Sequence, residues 1–448
     1  MIIKSLTVGG FKNLRKTRID FGKIVALISP NNYGKSNLLE AIDFGTDFLT
    51  ASGKARKSMM AWVKGIPLSP ELAGDDFFFD IELDAPLLGE YRHLHYGFAF
   101  SWLNDVGSGQ KITDEWLETR KSESVRYTSL LKRGEGKYRK GYSTQAYRKI
   151  ILDDSQLAID VLASFEDIEI SDAVKTIQGF RYQVCSSVDL QDRFAPPPFE
   201  FVESQNENRI GFEDDDIPKA LSALKKDYPE KYGLFLDAAY TLFPEFKNIS
   251  LQSFELKEDQ PQHIDIVVTG VHPAGIPENK DGEGTIPIKI KEELYRLVIK
   301  SDYLNQPINA SLMSTGTKRI IWLLANVFIS SCTGISLIGI EELEASVHPR
   351  LLKSLLEILA ESQEDTRLII TSHSPLLVQY LKLPQIYLGM PGGGVAAFRR
   401  IAALKNKSIA KASRNLGVST GEYLFELMAD GPDSAELMEH LIEETVLE

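Results

Sequence analysis

The sequence predicts an α/β fold, and three observations lead there. Short continuous apolar runs at residues 23–28, 335–340 and 367–371 have the length and composition of buried parallel strands. A helical pattern follows each, at 36–49, at 349–360 and from residue 375. Each strand also runs into a loop of polar, chemistry-bearing residues, the edge where open α/β sheets hold ligands.

In chain order, residues 2–9, 16–21 and 23–28 read as strands with turns at Gly9-Gly10 and Phe21-Gly22. Ser29-Pro30-Asn31-Asn32-Tyr33-Gly34-Lys35-Ser36-Asn37 joins the third strand to the helix at 36–49. A strand, a tight loop and a helix with Gly-Lys-Ser at the junction make a phosphate cradle. Loop and helix-start amides face the anion, and the helix dipole favours negative charge. Lys35 would reach the β/γ oxygens of a nucleoside triphosphate, and the Ser36 hydroxyl would hold Mg2+.

A Gly/Lys-rich loop is expected at 51–58, with strands at 77–83 and 93–103. Residues 125–131 and 137–143 flank Lys132-Arg133-Gly134-Glu135-Gly136, a hairpin signal. Helices are expected at 150–162 and 172–180, loops at 193–198 and 203–216, and a helix pair at 217–242. Strands are expected at 254–269 and 286–290 around a loop at 272–285. No heptad pattern is sustained, so no long coiled-coil arm is expected. Order returns near Asn309, with a helix at 317–330. The strands at 386–390 and 395–399 flank Pro391-Gly392-Gly393-Gly394. These elements suggest an N-terminal lobe at 1–104, an inserted α+β region at 105–308, a C-terminal lobe at 309–415 and an acidic helical tail at 416–448.

Composition narrows the class. The 448 residues are 43% hydrophobic and 25% charged, ordinary for a globular protein large enough for several domains. No apolar stretch is long enough to span a membrane, and the N-terminus reads as a strand rather than a leader. Two cysteines, Cys185 and Cys332, make neither a disulfide framework nor a zinc site, which points to the cytoplasm. The net charge of −13 disfavours a surface that tracks nucleic acid throughout.

Charge is nevertheless uneven. Between Arg126 and Lys149 stand eight basic residues and one acid, Glu135, interleaved with Tyr127, Tyr138, Tyr142 and Tyr147. Such a segment could grip DNA phosphates and stack bases, or be a solvated hairpin. The tail from Glu422 carries nine acids and no Lys or Arg, and Tyr423, Leu424, Leu427, Leu437 and Leu441 suggest an amphipathic helix packed on the lobe. His93 and His95 share a strand face without evident metal partners.

Three further segments carry chemistry. Ser314-Thr315-Gly316 at a helix start offers a hydroxyl and free amides for a second phosphate contact. Glu341 and Glu342 follow the strand at 335–340, where one can hold Mg2+ and the other polarise water. His373 ends the strand at 367–371 and can contact a γ-phosphate or the attacking water. Each alone has a plainer reading: a helix N-cap, a solvated turn, a loop histidine. Their order behind a phosphate loop makes chance remote.

These four segments resemble those of the ABC-type ATPases related to SMC, RecF and the overcoming-lysogenization-defect proteins, also catalogued as AAA-family ATPases. Ile3-x-x-Leu6-x-Val8-x-x-Phe11-Lys12-Asn13-Leu14 is similar to that group's opening strand and turn. Residues 31–37 resemble its phosphate loop, Ser314 to Arg319 its signature motif, and Ile340-Glu341-Glu342-Leu343-Glu344 with His348-Pro349 its Walker B segment. Thr371-Ser372-His373-Ser374-Pro375 resembles its switch.

The resemblance implies a P-loop head built from N- and C-terminal lobes with the middle region inserted. It implies ATP and Mg2+ as cofactors. Lys12, Asn13, Asn31, Asn32, Gly34, Lys35, Ser36, Asn37, Ser314 and Gly316 would bind nucleotide. Ser36 and Glu341 would hold the metal, and Glu342 and His373 would be catalytic. It also implies a head-to-head homodimer with ATP clamped between the loop of one copy and Ser314/Gly316 of the other.

Departures are Ser29 for the first glycine, Glu341 for the usual aspartate and Leu343 for a proline, so slow turnover is expected. No residue stands out as the glutamine that bridges Mg2+ and water. The 401–448 segment is too short for the nuclease domain of some relatives, and Asp430-Gly431-Pro432-Asp433 reads as a turn. The expectation is an ATP-driven sensor or scaffold in bacterial anti-phage defence, acting with a separate nuclease or toxin. The alternatives are a RecF-like DNA-engaging ATPase and an ATP-locked structural oligomer.

Overall fold

The computed structural model describes residues 1–67, 69–104, 107–144, 146–165, 168–186, 193–201, 216–255, 263–268, 284–390, 394–429 and 434–443. The expected loops at 203–216 and 272–285, Pro391-Gly392-Gly393 and the turn at 430–433 fall outside these residues, save for their last one or two positions in the two loops. Two compact units emerge. One comprises residues 1–186, 334–345 and 360–448, the other 187–333 and 346–359.

The first unit opens with β1 (Ile2–Gly9), β2 (Thr17–Asp20), β3 (Ile24–Ile28) and α1 (Lys35–Thr50). Leu38, Ile42, Gly45, Phe48 and Leu49 recur at helical spacing and bury one face of α1. α2 (Gly53–Met59) stands where a loop is expected. Its start is capped by the Ser52 hydroxyl, and Arg56 donates to Phe48 O and Leu49 O at the end of α1 and pairs with Asp160. Antiparallel strands follow: β4 (Phe77–Asp84), β5 (His93–Ser101), β6 (Lys111–Arg120), β7 (Thr128–Lys132), β8 (Lys137–Tyr138) and β9 (Arg148–Lys149). With β1 and β2 they form one eight-stranded sheet in the order β2-β1-β4-β5-β6-β7-β8-β9. Phe44, Phe77, Phe98, Phe100 and Trp102 pack between α1 and this sheet. Burying each such ring contributes about 2–3 kcal/mol.

The helix expected at 150–162 is only α3 (Ala158–Ala163). Residues before it use their main chain elsewhere: Ile150 N–H donates to Gly136 O, and Asp153 and Gln156 carbonyls accept from Arg133. α4 (Ser171–Gln178) and β10 (Tyr182–Cys185) complete this stretch.

The second unit holds β11 (Phe199–Phe201), α5 (Ile217–Asp227), α6 (Pro229–Leu242), β12 (Phe246–Glu255), β13 (His263–Val268), β14 (Gly284–Ile290), β15 (Glu293–Ser301), β16 (Ile308–Asn309) and α7 (Thr315–Thr333). The strand expected at 254–269 is thus two strands in different sheets, β12-β15-β16 and β11-β14-β13. Trp322 and the run from Ile320 to Ser330 are buried on α7, and Phe328 meets Phe235 of α6 edge-on.

The chain continues with β17 (Leu337–Ile340), α8 (Pro349–Glu361), β18 (Arg367–Ser372), α9 (Pro375–Val378), β19 (Ile386–Met390) and β20 (Ala397–Arg400). It ends, among described elements, with α10 (Asn406–Leu416), α11 (Thr420–Ala429) and α12 (Ala435–Glu439). Strands from both ends of the chain share a six-stranded sheet in the order β10-β17-β18-β3-β19-β20. β3 lies parallel between β18 and β19, with Ser372 opposite Ile28 and Leu388 opposite Ile28. Ile340 lies opposite Ile370 in the parallel β17–β18 pair. The fold is therefore an α/β head in which a strand from the first thirty residues is built into a sheet of C-terminal strands. In the tail, Tyr423, Leu424, Leu427 and Leu441 are buried as expected, whereas Leu437 is exposed.

Candidate active site

β3, β17 and β18 run parallel, so the segments that follow them emerge at one sheet edge. Ser29, after β3, is fully buried. Its side chain fits because residue 389 on neighbouring β19 is glycine: a Cβ there would lie 2.6 Å from Ser29 Cβ. The glycine missing from the loop is thus replaced by one across the sheet. Asn32 (φ 64°) and Gly34 (φ 86°) both adopt left-handed backbone. Alternation of such residues turns successive amides toward a common anion. Gly34 is doubly required, since a Cβ would also lie 2.5 Å from Ala396 Cβ.

α1 starts at Lys35 directly after Gly34. The buried Lys35 Nζ donates to Ser29 O and Pro30 O, both at 2.9 Å. Burial lowers its pKa, and the negative charges of Glu342 and Glu344 oppose that shift. Asn31 and Ser36 are exposed at the loop and the helix start. The Asn37 amide donates to Asn13 Oδ1 at 2.7 Å, and Asn13 Nδ2 donates to Gly394 O at 3.2 Å. Lys12 pairs with Glu40 of α1, so the opening turn braces the start of α1 and the loop before it.

Glu341 and Glu342 follow β17. Glu342 holds φ 45°, an uncommon state for a residue with a Cβ, and its amide donates to Thr371 Oγ1 at 3.1 Å. His373, after β18, is 43% exposed, and its Nδ1 lies 3.4 Å from Glu342 Oε1. Lys35, Glu342 and His373 therefore converge. Ser314 and Gly316 belong to the second unit. The exposed Ser314 caps α7, its Oγ accepting the Thr317 amide at 3.2 Å. A Cβ on Gly316 would lie 2.3 Å from Ser346 O.

Sequence reasoning passed over Glu344, Thr371 and Ser372 as site residues. Glu344 Oε1 accepts the Ser372 hydroxyl at 2.6 Å and the His373 amide at 3.2 Å. Its signal was a third acid, two residues after Glu342. Tyr33 was also passed over, and its hydroxyl donates to Met428 O at the end of α11.

A Mg2+-triphosphate suits this donor set. Mg2+ keeps waters and phosphate oxygens and needs only one or two protein oxygens. Ser36 and Glu341 would supply such oxygens, and no cluster of three metal-binding side chains occurs among the described residues. His93 and His95, read as unpartnered, are instead held by carboxylates: His93 by Asp84 at 2.6 Å, His95 by Asp80 at 2.6 Å and Glu118 at 3.2 Å.

Part of the basic segment is engaged within the fold, while Arg126, Arg148 and Lys149 are exposed. Tyr147 is faced by Lys137 and Arg139, Tyr127 by Arg120, and Tyr142 by Lys121, while Tyr138 is buried. Lys132 and Lys137 pair with Glu135. These rings are not open platforms for bases. No helix among the described residues is long and apolar enough to cross a membrane.

Residues 1–80 match a family model described as "AAA ATPase domain". Residues 304–379 match one described as "AAA domain, putative AbiEii toxin, Type IV TA system". No curated protein matches the sequence. Among solved structures, the chain is similar to an Smc head bound to the C-winged helix domain of ScpA, with 15% identity, 91% of this chain and 100% of that one covered, and TM-score 0.49. It is similar to the SMC head domain from Thermotoga maritima, with 12% identity, coverage of 90% and 100%, and TM-score 0.44. A third is the Smc head domain with an extended coiled coil bound to the C-terminal domain of ScpA derived from Pyrococcus furiosus, with 14% identity, coverage of 92% and 99%, and TM-score 0.48.

Proposed function

We infer, from the matches of residues 1–80 and 304–379 to AAA ATPase domain models, that the protein binds and hydrolyses ATP as a head-to-head dimer. The observation that carries this reading is the convergence of Lys35, Glu342 and His373 on one sheet edge. Lys35 exchanges its two loop carbonyls for β/γ-phosphate oxygens. The amides around Asn31, Asn32 and Gly34 bind the β-phosphate, and Asn13 and Asn37 hold the loop in shape. Mg2+ on the Ser36 hydroxyl and the Glu341 carboxylate would neutralise phosphate charge. Glu342 accepts the proton of the attacking water, and His373 orients that water or the γ-phosphate. Ser314 and Gly316 present the α7 start to the nucleotide of a second copy.

In this reading ATP closes the dimer and hydrolysis opens it. A separate effector, a nuclease or toxin, reads the state in the cytoplasm during anti-phage defence. Glu341, longer than aspartate by one methylene, makes turnover slow.

The test is nucleotide binding and assembly state. Lys35→Ala lowers ATP affinity by about 100-fold. Glu342→Gln retains ATP and accumulates a dimer. Unchanged affinity in the first variant refutes the phosphate-loop role, and a monomer in the second refutes the clamp. Nucleic-acid engagement is the second reading, favoured by α10. Its Lys407, Lys411 and Arg414 are exposed and in no ion pair among the described residues, and no acid occurs from Ile401 to Ser419. Salt-sensitive DNA binding lost on reversing these three charges would establish it.

A further inference from the structure

Glu344 is a carboxylate that the ATP chemistry above does not use. Its side chain is 12% exposed, and Oε1 lies 3.8 Å from His373 Nδ1. That oxygen accepts the Ser372 hydroxyl and the His373 amide. Oε2 is buried and has no hydrogen-bond partner among the described residues. A carboxylate held in this way is fixed in place by the bonds that its Oε1 accepts.

The neighbouring contacts give it a context. The Glu342 amide donates to Thr371, so the turn after β17 is bonded to Thr371, Ser372 and His373 in succession. Glu342 itself holds a left-handed backbone that its surroundings must maintain.

We propose that Glu344 is a positioning residue that fixes His373 opposite Glu342, so that both address one γ-phosphate. It acts through Ser372 and His373. The proposal rests on the ATP reading and adds to it an assignment for the third acid of the turn. Its negative charge also balances Lys35, which sits close enough to sense it.

The test compares Glu344→Ala, Glu344→Gln and Ser372→Ala in the full chain. Measurements are ATP turnover, ATP binding, melting temperature and the imidazole NMR signals of His373. Misplacing a catalytic group lowers kcat by about 100-fold, and that loss is expected for Glu344→Ala. KM for ATP stays within about threefold, because phosphate-loop contacts are untouched. Glu344→Gln keeps an acceptor for Ser372 and His373 and recovers most of kcat. Ser372→Ala lowers kcat by about tenfold at temperatures where the variant remains folded, although loss of its bonds to Glu344 and the Ser374 amide lowers the melting temperature. The His373 signals move in the Ala variants and return toward the parent's in Glu344→Gln.

Parent-like kcat in Glu344→Ala overturns the proposal. So does an equal kcat loss in Ala and Gln variants that tracks lowered melting temperature with His373 signals unmoved. If Glu344→Ala does not fold, Ser372→Ala and Glu344→Gln decide in its place, and parent-like kcat in Ser372→Ala overturns the proposal. ATP binding by the parent and its loss in Lys35→Ala keep the two questions separate. If the parent binds no ATP, the nucleotide reading falls and the positioning role falls with it.

Discussion

Two histidines in this chain sit between paired carboxylates, and they differ in character. His95 lies in a row across three antiparallel strands, opposite Glu82 on one side and Glu118 on the other, with Asp80 on the diagonal. Both ring nitrogens are hydrogen-bonded, and the side chain is 22% exposed. Burial resists its charge, but the bonds to Asp80 and Glu118 and the nearby negative charges push its pKa up to about 10. His373 has Glu342 and Glu344 at 3.4 and 3.8 Å from Nδ1, beyond good hydrogen-bond length, and is twice as exposed. Saturation makes His95 a fixed cation that holds strand register. His373 is held more loosely, with its ring open to solvent.

The strongest way to break this distinction is to delete each ring. His373→Ala lowers ATP turnover by about 100- to 1,000-fold and leaves the melting temperature near the parent's. His95→Ala does the opposite: turnover per folded molecule is retained, and stability falls by about 3 kcal/mol as Asp80 loses its charged partner and keeps only the Trp116 indole N–H. Chemical denaturation and steady-state assays on both variants check this. A turnover loss in His95→Ala as deep as in His373→Ala would abolish the contrast.

A subtler probe is pH. The folded-state pKa of His95 is raised, so its stabilisation is complete below about pH 6.5 and is lost as pH rises through about 10. The stability difference between parent and His95→Gln therefore shrinks by up to about 1.4 kcal/mol per pH unit in that interval. Denaturation midpoints that stay parallel from neutral to alkaline pH would show that the carboxylates do not hold the charge.

The same contrast explains what the sequence could and could not reveal. The phosphate loop, Glu341-Glu342 and His373 are legible because each lies next to a short apolar strand, so local pattern alone places it at a sheet edge. The partners of His95 are not, because Asp80 and Glu118 are brought to it by the register of strands 15 and 23 residues away. Glu344 fails for a related reason, since its contacts reach to residue 372, 28 positions on. α2 was hidden by a Gly/Lys-rich composition and owes its helix to the Ser52 cap and to burial of Arg56 against the end of α1. Residues 150–157 carry helical spacing, but Arg133 and the β8–β9 edge claim their main chain. Tertiary bonds overrode local preference at both places.

The smallest expected effect lies at Glu115, a third carboxylate arrangement and a useful control for the histidine pair. Glu115 is fully buried in the eight-stranded sheet. It accepts the Ala158 amide at 2.6 Å and the Ile159 amide at 3.2 Å, capping α3, and the Tyr96 hydroxyl at 3.0 Å. Burial raises its pKa to about 7, against the lowering effect of those amides and of Arg133. Because the folded value lies above the unfolded one, the associated stability is present below about pH 4.5 and lost as pH rises through about 7. Glu115→Gln keeps an acceptor for the α3 amides and has no charge to desolvate. Its stability relative to the parent therefore improves from acid to neutral pH, over a narrower interval and by less than the change at His95. Parallel stability–pH curves for parent and variant would mean that Glu115 stays ionised in its cap. The carboxylates of this head would then be governed by their hydrogen bonds rather than by burial.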